Sequence, residues 1–439
     1  MSDPTARVLA VQRLLRVEAE GAHVARLADG AHAPDVSRRA VDYVSGVTRL
    51  KRWLDFLIGQ FYRGDVAGLD PELRQILRIG AYELVERGVA PHAAVNEAVE
   101  TAKEILHRGA ASVTNGVLRA LDRAQRAGSL PEPDSGDPAD DLAVRFSHPT
   151  WTVRRWLARW GERDTRAFLA STNDPGRFTL RVTGGPDAAP DVVRQLAALG
   201  VEAEPSEWAG DFLAVDRLQP VLRSALLDEG VVAVQDVAAG LVVHVLDPQP
   251  GERIFDAAAA PGGKAVYAAL RMGDVGEVVA LDVSEAKVGL IAGAARRHGL
   301  STVRSVKGDL TTWEGDGLFD RVLLDAPCSG SGVLAKRADL RWRRSPEALA
   351  ELAELQDALL AAAARHVRPG GLLVYSTCSV EPEENDDRVG AFLDRHPDFA
   401  LEPVATLVPA ALVDGAVYRA LPHVHGTDGA FAARLRRAP

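Results

Sequence analysis

The chain holds two cysteines, Cys328 and Cys378, and they are the natural starting point for any chemistry it does. A secreted disulfide framework needs more cysteines, and a zinc site needs about four ligands. Eleven histidines are present, but none lies at ligand spacing from either cysteine, so no metal is expected. In a reducing compartment two such residues are buried fillers or reactive thiols.

Each cysteine follows an apolar run of strand character. Arg321–Asp325 leads into Ala-Pro-Cys328-Ser-Gly-Ser-Gly332, and Leu372–Ser376 leads into Thr377-Cys378-Ser379. The surrounding pattern predicts further strands over Arg253–Asp256, Glu277–Val283, Val303–Gly308, Val404–Leu407 and Ala430–Leu435. It predicts helices over Gly263–Met272, Glu285–His298, Pro346–Val367 and Glu383–Arg395. This alternation implies a parallel sheet with helices on both faces, an α/β Rossmann-like arrangement whose ligands bind at the carboxyl ends of the strands.

The first strand ends in Asp256-Ala-Ala-Ala-Ala-Pro-Gly-Gly-Lys264. Gly262 and Gly263 let the backbone approach a ligand, and the next helix aims free N–H groups at an anion. The loop is neither a Walker A motif nor G-x-G-x-x-G, so a triphosphate is not its ligand. A single carboxylate, as on a methionine moiety, suits it better, although an ordinary strand-to-helix turn reads the same. Asp282 ends the second strand, about twenty residues beyond Gly262, where an acid grips both hydroxyls of a ribose. Its other use would be as a helix N-cap, which Ser284 can supply. Asp309 follows the third strand and is read as an acceptor for an adenine amine, or as a plain turn residue. An adenosine without phosphates, joined to a carboxylate, is the expected ligand, and S-adenosylmethionine (SAM) fits.

In a doubly wound sheet of the methyltransferase order, strands four and five are neighbours, so the two thiols meet across one cleft beside this cofactor. A thiolate and a methyl donor together suit methylation of a carbon that is not itself nucleophilic, such as cytosine C5. Attack at C6 makes C5 electron-rich, and the covalent bond splits one hard step into easier ones. Asp325 is placed to hydrogen-bond N3 of the base, and Lys264 to neutralise developing charge or to contact the SAM carboxylate.

The rest of the chain must carry the substrate. Residues 1–128 read as helices, with Val8, Val11, Leu14 and Leu15, and Leu73, Ile76, Leu77 and Ile79, at helical spacing. Residues 129–146, rich in proline, glycine and acids, read as a linker. Residues 147–247 read as a small α+β unit and 248–439 as the catalytic domain. The segment Lys336–Arg344 gathers Lys336, Arg337, Arg341, Arg343 and Arg344 around Asp339 and Trp342, and is read as an RNA-facing patch. A net charge of −10 argues against non-specific coating of RNA but not against a local grip. No apolar run reaches the roughly 18 residues that span a bilayer, and charges interrupt the N-terminal apolar residues, so a cytoplasmic location without membrane contact is expected.

Ala258–Lys264, Asp325-Ala-Pro-Cys328-Ser-Gly-Ser-Gly332, Thr377-Cys378-Ser379 and Pro382-Glu-Glu-Asn385 together resemble the nucleolar-protein/Sun family of RNA 5-methylcytosine methyltransferases. Val234-Gln-Asp236 matches as well. Pro91–Val99 and Asn115–Arg119 are similar to the NusB-type helical RNA-binding domain. The resemblance covers the whole chain, and its domain order is similar to bacterial members that act on ribosomal RNA. It implies that Cys378 is the nucleophile and that Cys328 assists release. It implies SAM-binding roles for Ala258, Ala259, Ala260, Pro261, Gly262, Gly263, Lys264, Asp282, Asp309 and Asp325. Ala258 and Ala265 depart from the cysteine and threonine frequent there, and neither position carries a chemical role in this scheme. The expected substrate is small-subunit (16S) ribosomal RNA and the expected state a monomer. The competing reading is an RNA-binding ribosome-assembly factor that has kept the fold without catalysis, against which both cysteines, Asp325 and Lys264 speak.

Overall fold

The computed structural model describes residues 5–19, 33–174, 176, 178–315 and 317–439. The chain forms two compact units, one running to Asp174 and including Leu334–Arg343, the other comprising the rest.

The first unit is helical: α1 (Ala6–Ala19), α2 (Pro34–Phe61), α3 (Pro71–Val85), α4 (Pro91–Ile105), α5 (Arg108–Arg126), α6 (Pro138–Arg145) and α7 (Thr150–Asn173). Proline opens α2, α3, α4 and α6, where its missing N–H would have no partner anyway. Leu54, Leu57, Ile58, Leu77, Val95, Leu118 and Leu121 are fully buried and form its core. Each such side chain contributes roughly 1.5–3 kcal/mol.

Two expectations are corrected here. The stretch read as a linker contains α6, which buries Ala139, Leu142 and Ala143. Its acids serve as structure: Asp137 caps the helix by accepting from the Ala139 amide, and Asp140 pairs with Arg52 at 2.7 Å. The basic segment Lys336–Arg344 is not a solvated patch either. Arg341 is buried and donates to the carbonyls of Arg49, Ser147 and Thr172 and to Asn173 Oδ1. Trp342 donates to the Thr48 carbonyl, and Arg343 pairs with Asp339. Most of its cations are spent on holding loops together rather than presented outward.

The second unit opens with an antiparallel sheet of β1 (Phe178–Val182), β2 (Ala203–Pro205), β3 (Phe212–Val215) and β4 (Val232–Val234), in the order β2-β3-β1-β4. The helices α8 (Ala189–Ala198) and α9 (Ala225–Asp228) belong to it, and α10 (Val237–Leu246), apolar on nearly every face, follows.

The main sheet contains β5 (Arg253–Asp256), β6 (Glu277–Asp282), β7 (Val303–Lys307), β8 (Phe319–Asp325), β9 (Val367–Thr377), β10 (Phe399–Glu402), β11 (Val413–Asp414), β12 (Val417–Ala420) and β13 (Ala430–Arg437). Its order is β11-β12-β13-β9-β8-β5-β6-β7, with β10 on β13. The intervening helices are α11 (Gly263–Arg271), α12 (Glu285–Arg297), α13 (Pro346–Ala364) and α14 (Asp386–Arg395). Strands β5 to β9 pair in parallel, as predicted, and their apolar residues, such as Phe255, Val279, Leu324 and Tyr375, are buried. The sheet is nevertheless mixed, because β13 runs antiparallel to β9, β10 and β12. Val404–Leu407 is a turn, and the strand lies just before it at Phe399–Glu402. The chain leaves β5 for β6 and β7 on one side and returns to β8 and β9 on the other. The carboxyl ends of β5 and β8 therefore face the switch point where such sheets bind ligands.

Candidate active site

In the β8–β9 pairing, Asp325 lies opposite Ser376, so the loops that follow leave the sheet side by side. They carry Cys328 and Cys378, both half-buried, with their sulfurs 3.3 Å apart. The Gly332 amide donates to the Cys378 carbonyl at 3.0 Å, and the Gly429 amide to the Gly332 carbonyl at 2.8 Å. A Cβ on Gly332 would lie 2.7 Å from Gly429 Cα, so only glycine permits this approach.

Lys264 stands in the first turn of α11 and reaches across to β8, where Nζ donates to Asp325 Oδ2 at 2.7 Å. The other Asp325 oxygen accepts from Ser376 Oγ at 2.8 Å. Burial works against the Lys264 ammonium, but the Asp325 carboxylate outweighs it, helped by Asp256 and Cys378, and the lysine pKa is raised.

Asp256, at the tip of β5, is a site residue that sequence reasoning passed over. It is buried, and neither of its carboxyl oxygens has a well-formed hydrogen bond, the Ala258 amide contributing only weakly. Burial first, then the Asp325 charge, pushes its carboxyl up to about 7, with Lys264 pulling the other way. The signal was available, because Asp256 is the acid at a strand tip that opens the Ala-Ala-Ala-Ala-Pro-Gly-Gly-Lys264 loop. Its isolation from partners is visible only in the fold.

Within that loop, Ala259 and Gly262 are buried, Ala258, Ala260, Gly263 and Lys264 are half-buried, and Pro261 is exposed. The Ala260–Pro261 peptide is cis. Gly262 has φ 103°, and a Cβ there would press on Ile291 of α12. Asp282 is buried at the tip of β6, where Oδ1 accepts from the Ser284 amide at 3.0 Å and Oδ2 lies 3.6 Å from Lys287 Nζ. Ser284 makes no side-chain cap of α12, so the expected division of labour is reversed: Asp282 ties down the turn itself. Asp309 is exposed, and its Oδ1 accepts from the Thr311 amide and hydroxyl, which lowers its pKa. The bonds Ala259 N to Leu281 O and Gly308 N to Asp282 O tie the tips of β5, β6 and β7 together.

The fold thus brings Asp256, Lys264, Asp325, Cys328 and Cys378 into one cluster, with Asp282 close enough for its charge to act on Asp256. Asp309 stands further out, on a solvated turn. Among the described residues no group of histidines, cysteines or acids is arranged to hold a metal ion, and no helix is long and apolar enough to cross a membrane.

The model of the family described as 16S rRNA methyltransferase RsmB/F matches residues 243–436. The NusB family model matches residues 4–123, and that of the RsmF/B-like ferredoxin-like domain residues 148–222. The chain is similar to the probable ribosomal RNA small subunit methyltransferase B of Bacillus subtilis, 36% identical over 90% of this chain and 89% of that one. It is 34% identical to the ribosomal RNA small subunit methyltransferase B of Citrobacter koseri, over 89% of this chain and 88% of that one. Among solved structures, a methyltransferase homolog protein from Pyrococcus horikoshii is 30% identical, with a TM-score of 0.60 over 69% of this chain and 99% of that one.

Proposed function

The chain belongs to the RsmB/F family of ribosomal RNA small-subunit methyltransferases, and on that premise we propose that it methylates C5 of a cytosine in 16S ribosomal RNA, in the cytoplasm, through a covalent bond between Cys378 and C6 of the base. The observation that carries this reading is the pair of sulfurs 3.3 Å apart beside the Lys264–Asp325 ion pair.

The cofactor is SAM, which when bound supplies the methyl group. The residues present suit it. Asp256 and Asp282 are buried acids at adjacent strand tips, the first lacking a strong partner, and the loop after Asp256 carries only small side chains and Pro261 before Gly262 and Gly263. Ala258–Lys264 would hold the methionine portion, Asp282 the ribose hydroxyls, and Asp309 the adenine amine through the oxygen its own turn leaves unused.

Cys378 Sγ attacks C6, and the electron pair of the C5–C6 double bond becomes available at C5. Asp325 relays to N3 the proton that Lys264 holds across the 2.7 Å bond as the ring accepts the sulfur. After methylation the C5 proton passes to water, its electron pair re-forms the C5–C6 double bond, the C6–sulfur bond breaks with its electron pair going to Cys378, and the N3 proton returns through Asp325 to Lys264. Cys328 keeps its thiol hydrogen until that step, donates it to the departing sulfur and recovers a proton from water. Bonding to Cys378 and burial both raise the Cys328 pKa well above its ordinary value, which suits a group that must stay protonated.

Bisulfite mapping of 16S ribosomal RNA from cells with and without the protein tests the reading. One cytosine should lose protection when the protein is absent and regain it when purified protein and SAM are added. An unchanged cytosine pattern, with methyl groups found elsewhere, would overturn it.

A further inference from the structure

Behind the two sulfurs lies a buried polar layer that the scheme above does not use. Glu384, in the turn Pro382–Glu384, is wholly buried. Its Oε1 accepts from the Ser329 amide at 2.7 Å and from Gln356 Nε2 at 3.0 Å, and its Oε2 accepts from the Ser329 hydroxyl. Ser329 directly follows Cys328. Its hydroxyl also meets that of Ser379, which directly follows Cys378, at 3.1 Å, and Ser379 meets Ser331 at 3.1 Å. Gln356 donates to the Pro327 carbonyl at 2.9 Å, on the other side of Cys328. One carboxylate therefore holds the Ser329 amide directly, reaches the Pro327 carbonyl through Gln356, and reaches Ser379 through the Ser329 hydroxyl.

Among the described residues no cation pairs with Glu384; three neutral donors hold it. A buried charge without a counter-ion is expensive, and its persistence beside a reactive pair points to a use. We propose that Glu384 is a positioning residue for the release half of the reaction: through Ser329 and Ser379 it fixes the Cys328 thiol so that the thiol donates its hydrogen to the sulfur leaving C6. This rests on the covalent reading above. In that step the C6–sulfur bond breaks, its electron pair goes to Cys378, the C5 proton passes to water, and the C5–C6 double bond re-forms.

The geometry aims the thiol, and the charge keeps it protonated until the step arrives. The groups facing Cys328 are Cys378 from the loop after β9, Tyr375 from β9, Glu384 from its turn, and Arg344, whose guanidinium binds the Cys328 carbonyl. The bond to Cys378, burial, the Cys378 charge and the Glu384 charge all disfavour loss of the Cys328 proton. Glu384→Gln separates charge from packing. An amide can still accept from the Ser329 N–H while its NH2 faces the Ser329 oxygen, and the serine hydroxyls can reverse their donors along the chain.

The test uses the full chain with SAM and small-subunit ribosomal RNA from cells lacking the methyltransferase, and compares Glu384→Gln, Ser329→Ala and Cys328→Ala. Glu384→Gln should melt near the wild-type temperature, keep its KM, and transfer methyl in the first turnover within about threefold of wild type. Its steady-state turnover should fall about tenfold or more, with a Cys378-dependent RNA adduct accumulating on denaturing gels. The alkaline fall of its release rate should move to lower pH. Ser329→Ala, which retains the carboxylate and the amide bond, should show a smaller accumulation, and it decides the matter if Glu384→Gln fails to fold. Wild-type turnover, or a first-turnover loss as large as the turnover loss with no adduct, would overturn the proposal. An adduct in Cys328→Ala but none in Glu384→Gln overturns it alone, whereas no adduct in Cys328→Ala removes with it the reading that Cys378 attacks C6.

Discussion

Lys264 Nζ donates to Asp325 Oδ2 at 2.7 Å, joining the first turn of α11 to the tip of β8, and the buried carboxyl of Asp256 lies within the field of both. One cation thus serves two acids, and burial first, then the Asp325 charge, raises the pKa of Asp256.

That arrangement makes stability depend on pH. Asp256 goes from an ordinary 3.8 to about 7 on folding. Between those values the folded protein holds a proton that the unfolded chain has lost, so stability falls as pH rises from about 4 to about 7. The full shift corresponds to about 4 kcal/mol. Asp256→Asn should flatten this part of the stability–pH curve in cofactor-free protein, measured by chemical denaturation at several pH values. An unchanged slope would mean that Asp256 does not titrate there.

Asp282 should matter to cofactor affinity more than to folding. Asp282→Ala should weaken SAM binding at least tenfold, about 1.4 kcal/mol, with the fold intact. Titration calorimetry showing wild-type affinity would remove Asp282 from the site.

Arg341 is predicted to matter to stability, not to the cofactor. Burial pushes its guanidinium down to about 9, and it serves the carbonyls of Arg49, Ser147 and Thr172 together with Asn173. Arg341→Leu leaves those acceptors unpaired and should cost about 3 kcal/mol. SAM affinity should not change, because the residues proposed to bind it lie in the other unit. A variant that melts like wild type would contradict the structural role.

These cases show what the sequence could and could not display. Strand tips were readable because apolar runs of β8 and β9 stop at Asp325 and Thr377 and turn residues follow. The antiparallel edge was not, since β12 is only Val417–Ala420 and its apolar signal is short. Helix α6 hid inside a Pro- and Asp-rich stretch, although Asp137-Pro138 is itself a helix-start signal. The basic run around Arg341 misled because sequence shows charge without burial. The Glu384 network joins residues about fifty positions apart, such as Ser329, so no local pattern announces it. An N-terminal deletion at residue 145, attractive on the linker reading, would cut into the first unit and strip Leu334–Arg343 of its partners.

The division of labour between the two thiols is the centre of the account, and one gel tests it. Cys378→Ala and Cys328→Ala are each incubated with SAM and unmethylated small-subunit ribosomal RNA, then resolved under denaturing conditions. Cys378→Ala should neither turn over nor form an adduct. Cys328→Ala should attack, resolve slowly, and accumulate an RNA–protein complex that disappears in the double variant. An adduct in Cys378→Ala and none in Cys328→Ala would reverse the roles, and turnover in both without any adduct would contradict covalent catalysis by this protein.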